Sequence, residues 1–389
     1  MIYDLIIVGC GASGAACAIT YKRKNPNNSV LVLESQDEIL KKVSATGNGK
    51  GNFTNEYLSS DSYNSQVFVS KIINKNSKNE LLSFFDSLRM MYYKDTEGRY
   101  YPLSSSAKTI SYVLKREMDE LNVHIKTSYK VNMIEKEDDI FYVSDGKDTF
   151  MAYSVLLSTG AKNYKSLGSD GSIYPIVKSL GHTLTPMYPA NIYIKVCEKE
   201  YTKKLSGLRF NATIYLINDK EIYYYEKGEL LFKDDALSGI VTFNVSNRLA
   251  YLYKSGNDNN PELVVDFCNT IDTEDLVNII YNSKDIKETL MGLVHPSLAE
   301  LIYQISKDKK EIVQNLASFR FKVKSLGDFE HAQITAGGVK VVEVKDNLES
   351  VIVPHLYFAG DILDVDAQCG GYNLSFAFLS GIKAGKEIE

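Results

Sequence analysis

The sequence predicts an α/β protein in which one domain, a doubly wound parallel sheet, is interrupted by an insert. Short uninterrupted apolar runs near the start, the middle and the end of the chain are typical of strands buried on both faces of such a sheet. From about residue 190 to residue 268, short alternating segments indicate antiparallel strands, and helical spacing follows to about residue 326. The apolar runs therefore bracket the insert, and the sheet domain is predicted to be discontinuous.

Length and composition restrict the class of protein. The 389 residues suggest two to three domains of about 150 residues each. With 44 Lys and Arg against 49 Asp and Glu the formal net charge is −5, so no nucleic-acid partner is expected. No run approaches about 18 apolar residues, so no membrane partner is expected, and the acidic Asp4 does not fit a signal peptide. Five scattered cysteines without C-x-x-C spacing indicate a reducing cytoplasm.

The first 34 residues are predicted to form a strand, a glycine-rich turn, a helix and a second strand. Residues 5–8 and 30–33 are the two buried strands, and residues 15–24 form the helix, which Asn25 and Pro26 end. This order is the start of a βαβ unit.

Three glycines in the turn are spaced as in a dinucleotide-binding site. Gly9 permits the tight turn, Gly11 lets a pyrophosphate approach the backbone, and Gly14 lets the helix pack on its strand. The helix N-terminus favours the negative charge of the pyrophosphate. Glu34 follows Gly14 by 20 residues at the end of the second strand, where it can accept hydrogen bonds from the adenosine ribose. These residues predict a bound dinucleotide.

Two later strands end in glycine-containing turns, and the second of these turns identifies the dinucleotide. Residues 155–157 form a short strand that runs into Thr159 and Gly160, and residues 356–358 form another that runs into Gly360 and Asp361. The second of these is similar to the flavin motif of the glutathione-reductase class, in which the glycine allows close approach and the acid binds the ribityl chain. NAD has no ribityl chain, so the sequence predicts FAD.

Two polar segments are predicted to complete the site. Residues 370–374 precede an apolar helix that begins near Asn373, and its free N–H groups would face the pyrimidine edge of the flavin. Residues 41–52 are too rich in glycine for a stable helix, so we expect a loop that wraps the flavin and its phosphates, with Lys42, Thr46 and Asn48 offering contacts.

The predicted domain boundaries follow from these patterns. Residues 1–188 and 331–389 form the cofactor domain, residues 189–270 an antiparallel, barrel-like insert, and residues 271–330 a small helical insert. In the helical insert Asp272 or Thr273 can cap a helix, and Pro296 occupies a first helical position.

Over nearly its whole length the chain resembles the BaiN-like flavoproteins, also called the aminoacetone oxidase family. Besides the segments above, the resemblance rests on residues 98–102, 332–339 and 363–366. It implies a discontinuous Rossmann-like FAD-binding domain of the glutathione-reductase class, with a β-barrel-like insert and a small helical insert. The FAD contacts that the resemblance and the motifs together imply are Gly9, Gly11, Ser13, Gly14, Glu34, Lys42, Thr46, Gly47, Gly49, Asn52, Val131, Thr159, Gly160, Gly360, Asp361, Gly371, Tyr372, Asn373 and Leu374.

The chain departs from the family pattern at three places. Lys50 and Gly51 stand where the family usually has Arg and Cys, so a mechanism that needs a thiol there is excluded and a bidentate guanidinium contact is absent. Asp361 stands where Glu is frequent, and Thr159 precedes Gly160 where two glycines are usual.

The function that these features predict is an FAD-dependent oxidoreductase that moves hydride or electrons to or from a small organic substrate. Only one dinucleotide-binding turn is present, so NAD(P)H would have to dock directly at the flavin. An FAD-bound redox-sensing or partner-binding protein without turnover is the alternative, and flavin-dependent RNA modification is weakened by the negative net charge. No residue spacing identifies a catalytic acid or base, a metal site, the substrate or the oligomeric state.

Overall fold

The computed structural model describes every residue from Met1 to Glu389. The residues divide into two compact units: unit 1 combines Met1–Tyr188 with Ile334–Glu389, and unit 2 is Pro189–Gln333. None of the helices has the length and apolar character needed to cross a membrane.

Strands and helices are numbered along the chain. The strands are β1 (Ile2–Val8), β2 (Val30–Leu33), β3 (Thr54–Asn55), β4 (Tyr92–Lys94), β5 (Arg99–Pro102), β6 (His124–Lys126), β7 (Met133–Glu137), β8 (Ile140–Ser144), β9 (Thr149–Leu157), β10 (Tyr188–Ala190), β11 (Ile194–Val196), β12 (Arg209–Asn218), β13 (Glu221–Lys233), β14 (Ala236–Ser238), β15 (Glu262–Asp266), β16 (Phe319–Leu326), β17 (Ile334–Ala336) and β18 (Leu356–Phe358). The helices are α1 (Ala12–Lys24), α2 (Lys41–Ser44), α3 (Gln66–Val69), α4 (Ser77–Ser87), α5 (Ala107–Glu120), α6 (Tyr174–Ser179), α7 (Lys199–Lys204), α8 (Ile240–Ser255), α9 (Thr273–Tyr281), α10 (Ile286–Leu293), α11 (Pro296–Ile305), α12 (Lys309–Ala317) and α13 (Tyr372–Glu387).

A seven-stranded sheet organises unit 1. Its parallel part has the order β6-β2-β1-β9-β18, and an antiparallel hairpin of β7 and β8 extends it beyond the first half of β9. Leu5 pairs with Val30 on one side of β1 and with Ser154 on the other. The uninterrupted apolar runs of β1, β2, β9 and β18 therefore lie side by side, and their carboxyl ends share one edge of the sheet.

Helices α1 and α13 pack so closely that glycine is required between them. A Cβ on Gly381 would lie 2.2 Å from the Ser13 carbonyl oxygen, and one on Gly385 would lie 2.7 Å from the carbonyl oxygen of Cys17. Glycines four residues apart fall on one face of α13, so this face meets the α1 backbone directly. The contact joins the two ends of the chain within unit 1.

Unit 2 contains a closed barrel with the strand order β11-β14-β13-β12-β15-β16, which confirms the predicted barrel-like insert. Two of its elements differ from the sequence-based expectation. Strand β16 lies in the range predicted to be helical. This segment forms a strand because Phe319 and Phe321 point inward and alternate with charged residues. Helix α8 lies in the range predicted to contain only strands. This segment forms a helix because Val241, Val245 and Leu249 repeat at helical spacing on its buried face.

Four helices, α9 to α12, fill the predicted helical segment of unit 2. Pro296 is the first residue of α11, as predicted. The carboxylates of Asp285 and Asp308 cap α10 and α12 by accepting from the N–H groups of Glu288 and Glu311.

A buried histidine in unit 1 supports the last strand of the sheet. The fully buried ring of His182 lies 4.8 Å from the Phe358 ring, centroid to centroid, at the end of β18. Its Nδ1 is 3.1 Å from Glu343 Oε2 and its Nε2 is 2.9 Å from Ser350 Oγ. Ser350 Oγ already accepts the N–H groups of Ile352 and Val353. The serine hydroxyl must then donate to Nε2, which requires an uncharged imidazole.

Acidification is expected to destabilise unit 1 through His182. Burial lowers the pKa of this side chain, although Glu343 acts in the opposite direction. The unfolded chain therefore takes up the proton first, so this contribution to the free energy of unfolding is complete above about pH 6.5 and is lost as the pH falls below it. Urea unfolding at pH 7.5 and 5.5 would measure this effect. In His182→Gln, the free energy of unfolding should fall by about 1–3 kcal/mol at pH 7.5 and should depend less on pH than in the wild type. An equal change in unfolding free energy between pH 7.5 and 5.5 in the two proteins would contradict the prediction.

Candidate nucleotide-binding site

The glycine-rich turn between β1 and α1 has two closed positions and one open position. A Cβ on Gly9, whose φ is +93°, would lie 2.7 Å from Thr159 Cα, and a Cβ on Gly14 would lie 2.1 Å from the Gly9 carbonyl oxygen. A Cβ on Gly11 would meet no atom within 4 Å. Packing inside the protein therefore explains why Gly9 and Gly14 have no side chain. The space beside Gly11 is not filled by the protein and could hold part of a ligand.

The N-terminus of α1 is suited to an anion. Gly11 is the N-cap residue and provides no side-chain cap, and the first turn contains no acidic residue. The free N–H groups and the positive end of the helix dipole are therefore not neutralised by the chain itself.

Glu34 lies at the end of β2, where it holds the turn in place. Its Oε2 accepts the N–H of Cys10 at 2.9 Å, and its Oε1 accepts the N–H of Gln36 at 2.9 Å and the Ser35 hydroxyl at 3.1 Å. The side chain is largely buried. Oε2 retains a lone-pair direction for a further donor.

Val131 lies in the segment that runs beside Glu34. The Tyr129 N–H donates to the Glu34 carbonyl, which brings residues 129–131 next to the end of β2. The Val131 side chain is buried, and its N–H and carbonyl groups form no hydrogen bond within the chain. Its main chain is therefore available to a flat polar edge such as that of a purine.

The ends of β9 and β18 meet the same turn. Ser158 donates to the Gly9 carbonyl oxygen at 2.8 Å, which places Thr159 and Gly160 against the turn. A Cβ on Gly360 would lie 2.5 Å from Ser13 Oγ, so the end of β18 contacts the first turn of α1. The structure therefore brings the three strand ends together.

Asp361 pairs with Lys42. The Lys42 ammonium is 3.2 Å from Asp361 Oδ2 and 3.1 Å from Asn163 Oδ1, and both charged side chains are about one-quarter exposed. Asn163, which is buried, belongs to this cluster but lies outside every motif, so nothing in the sequence pointed to it.

The prediction that residues 41–52 form a loop throughout is wrong for their first part. Lys41–Ser44 is the short helix α2, which Val43 anchors in the core. After it, Gly47 and Gly49 adopt φ values of +57° and +82°, as expected where glycines prevent a regular helix. Both glycines are exposed, and Thr46 uses its hydroxyl locally, donating to the Val43 carbonyl at 2.7 Å.

The N-terminus of α13 lies against Asn52. Gly371 is the N-cap residue, with φ of +95°, and a Cβ there would lie 2.7 Å from Asn52 Oδ1. Asn52 Oδ1 is buried and accepts no hydrogen bond in the chain. A buried acceptor without a donor is costly, so this atom fits a donor from a bound group.

The side chain of Asn373 binds the main chain of the loop that precedes α13. Its side-chain amide accepts the N–H of Ala367 at 2.8 Å and donates to the Ala367 carbonyl at 2.8 Å. The amide therefore orders the loop before α13, and a ligand contact would come from the main chain of Tyr372, Asn373 or Leu374. Asn55, Tyr63 and Asn64 also hold this loop and were not predicted, because their partners lie about 300 residues away.

Known proteins resemble this chain in sequence and in fold. The model of the HI0933-like protein Rossmann domain matches residues 3–387. The chain is 30% identical to the 3-dehydro-bile acid delta(4,6)-reductase of Clostridium scindens, over 98% of this chain and 97% of that protein. It is 26% identical to the ribosomal RNA dihydrouridine synthase of Haemophilus influenzae, over 99% and 98% of the two chains. The 3-ketosteroid-delta4-(5alpha)-dehydrogenase of Rhodococcus jostii RHA1 shares the fold, with a TM-score of 0.51, 14% identity and coverage of 99% and 96%.

These similarities decide several of the sequence-based expectations. The resemblance to the BaiN-like flavoproteins and the enzyme class, an FAD-dependent oxidoreductase, are confirmed. The expectation of no nucleic-acid partner is not supported, because one relative over the full length is named for its action on ribosomal RNA. With a family model that matches almost every residue, the chain belongs to the HI0933-like Rossmann-domain family.

Proposed function

We propose that the chain binds FAD along the carboxyl edge of the sheet in unit 1 and transfers hydride or electrons between FAD and a small organic substrate. The observation that carries this proposal is the open position at Gly11. It leaves the unneutralised N-terminus of α1 accessible to a pyrophosphate, while Gly9 and Gly14 are closed by packing.

The adenosine half of FAD fits the residues around the end of β2. Glu34 is fixed by three donors from the chain and can still accept from a ribose hydroxyl through Oε2. The unpaired main chain of Val131 is available to the adenine edge. The pyrophosphate would lie at Gly11 and Ser13, with Thr159 and Gly160 lining it.

The flavin half fits the residues around β18 and α13. Asp361 and Lys42 form an ion pair at the end of β18, where a ribityl chain and a phosphate offer hydroxyl donors and negative charge. The buried Asn52 Oδ1 lacks a donor, and the pyrimidine edge of an isoalloxazine carries an N–H. Thr46, Gly47, Gly49 and Gly360 complete the proposed contacts.

When bound, FAD supplies hydride and electron transfer, which no amino-acid side chain provides. The chain's own part is to bind and orient the cofactor and to stabilise charge. The N-terminus of α13 has no acidic residue in its first turn, so its N–H groups favour negative charge at the pyrimidine edge. We assign no catalytic acid or base.

A small unsaturated carbonyl compound is the substrate class that the relatives favour. The Clostridium scindens relative is named a 3-dehydro-bile acid delta(4,6)-reductase, and a 3-oxo compound with double bonds at positions 4 and 6 belongs to this class. The chain has one dinucleotide-binding turn, so we propose that NAD(P)H reduces the flavin by docking directly at it and leaving before the substrate binds.

RNA modification is a second candidate, favoured by the ribosomal RNA dihydrouridine synthase among the relatives. It predicts affinity for ribosomal RNA fragments that falls steeply with salt, because phosphate contacts release counterions. If the affinity for ribosomal RNA fragments does not change with salt concentration, or if no binding occurs at low salt, this candidate function is ruled out.

The experiment that tests the proposed function starts from the purified protein loaded with FAD. Mixed anaerobically with NADH or NADPH, it should lose the flavin absorbance band, and a 3-oxo-4-ene steroid used as probe should restore it. If neither NADH nor NADPH removes the flavin absorbance band, the proposed reduction of the flavin by NAD(P)H is wrong. A protein that holds FAD but reoxidises with no acceptor in a panel of enones, quinones and RNA fragments would instead be the redox-sensing or partner-binding alternative. A protein that never takes up FAD would overturn the proposal as a whole.

A further inference from the structure

The side chain of Asn55, at the end of β3, connects two main-chain segments of unit 1. Its Nδ2 donates to the Gly370 carbonyl at 2.9 Å, and its Oδ1 accepts the N–H of Tyr57 at 3.0 Å. A carbonyl only accepts and an N–H only donates, so these partners fix the orientation of the amide. Asn55 is 4% exposed, so both of its polar ends are used inside the protein.

The loop that Asn55 holds leads into the N-terminus of α13, and two consecutive glycines stand at its end. Gly370 and Gly371 have φ values of +126° and +95°, which side-chain-bearing residues rarely adopt, and they offer no side chain for anchoring. The residues on either side are held by others: Asn373 binds the main chain of Ala367, and the Tyr63 hydroxyl donates to the Tyr372 carbonyl at 2.6 Å. Asn55 holds the residue directly before the N-cap.

We propose that Asn55 is a positioning residue that fixes the N-terminus of α13 and thereby sets the reduction potential of the flavin. This inference rests on the proposed function, in which the pyrimidine edge of FAD lies at that helix end. The favourable field of a helix terminus falls off within about one turn. Reduction adds negative charge to the cofactor. If the loop moved and the N-terminus of α13 shifted away, the helix terminus would stabilise the reduced cofactor less, and the oxidised cofactor would be affected little.

Asn55→Asp tests the proposal with a side chain of the same shape. The carboxylate keeps the acceptor for the Tyr57 N–H but turns a second acceptor toward the Gly370 carbonyl, so the tie becomes a repulsion. We expect the affinity for reduced FAD to fall about tenfold relative to that for oxidised FAD. For a two-electron couple this is a decrease of about 30 mV in midpoint potential, measured by spectroelectrochemical titration of the holoprotein.

Two further variants make the result specific. Asn218→Asp is the matched control, because Asn218 Nδ2 also donates to a main-chain carbonyl, that of Asn257 at 2.9 Å, but in unit 2; the potential should be unchanged. Asn55→Ala removes both hydrogen bonds without adding charge and should lower the potential in the same direction, which covers the case in which the Asp variant does not fold. An FAD-loaded Asn55→Ala or Asn55→Asp protein with the wild-type potential would overturn the inference. A wild-type protein that fails to bind FAD would overturn the proposed function instead.

Discussion

Gly11→Ser is expected to lower the affinity for FAD by more than about 100-fold, or about 2.7 kcal/mol, without destabilising the protein. Gly11 is the N-cap of α1 with φ of −86°, which serine adopts freely, and a Cβ there meets no atom within 4 Å. Serine ranks above glycine as an N-cap, so the free energy of unfolding of the apoprotein should stay the same or rise by a few tenths of a kcal/mol. The added side chain would occupy the space through which the pyrophosphate reaches the helix N-terminus.

Gly14→Ala separates this effect from damage to the turn. A Cβ at Gly14 would lie 2.1 Å from the Gly9 carbonyl oxygen, a main-chain atom that cannot move aside by a change of rotamer. This variant should lose both stability and FAD affinity. Flavin fluorescence titration gives the affinity, and thermal unfolding of the apoprotein gives the stability. If Gly11→Ser binds FAD as well as the wild type, the pyrophosphate does not lie at the N-terminus of α1 and the proposed site is wrong.

The elements that the sequence predicts well are those whose signal is local. Strand β18 begins and ends where the apolar run at residues 356–358 does, and α13 begins one residue before the predicted Asn373. In both cases an apolar segment lies next to a glycine-containing turn, so neighbours along the chain determine the structure.

Contacts across the chain were beyond sequence reasoning. The pair of Lys42 and Asp361 joins residues 319 positions apart, and Asn52 meets Gly371 only because α13 returns beside β3. The motifs indicated that each of these residues approaches the cofactor, but no spacing shows that they approach each other. Strand β16 lies outside the prediction for another reason: the helical spacing of the preceding segment is extended to about residue 326, although Phe319 and Phe321 alternate with charged residues.

Gly381→Ala is expected to destabilise unit 1 by about 3 kcal/mol, although alanine is the better helix former by about 1 kcal/mol. The new Cβ would lie 2.2 Å from the Ser13 carbonyl oxygen and 2.9 Å from Ser13 Cα. Both are main-chain atoms, so α1 and α13 would have to move apart. Because Ser13 belongs to the turn of α1 that we propose for the pyrophosphate, FAD affinity should fall as well.

Gly292→Ala, in α10 of unit 2, is the matched control for this prediction. It makes the same substitution inside a helix, but a Cβ there meets no atom within 4 Å, so only the gain in helix propensity remains. Because Gly292 is the next-to-last residue of α10, the substitution should stabilise this helix by less than the roughly 1 kcal/mol that it would give in a helix interior. Hydrogen exchange of the amides in α13 and α10 reports on each helix separately, with faster exchange expected in the first variant and slower in the second. If both substitutions slow exchange, α13 does not contact the α1 backbone at Gly381, and the close packing that joins the two ends of the chain would not explain why glycine stands there.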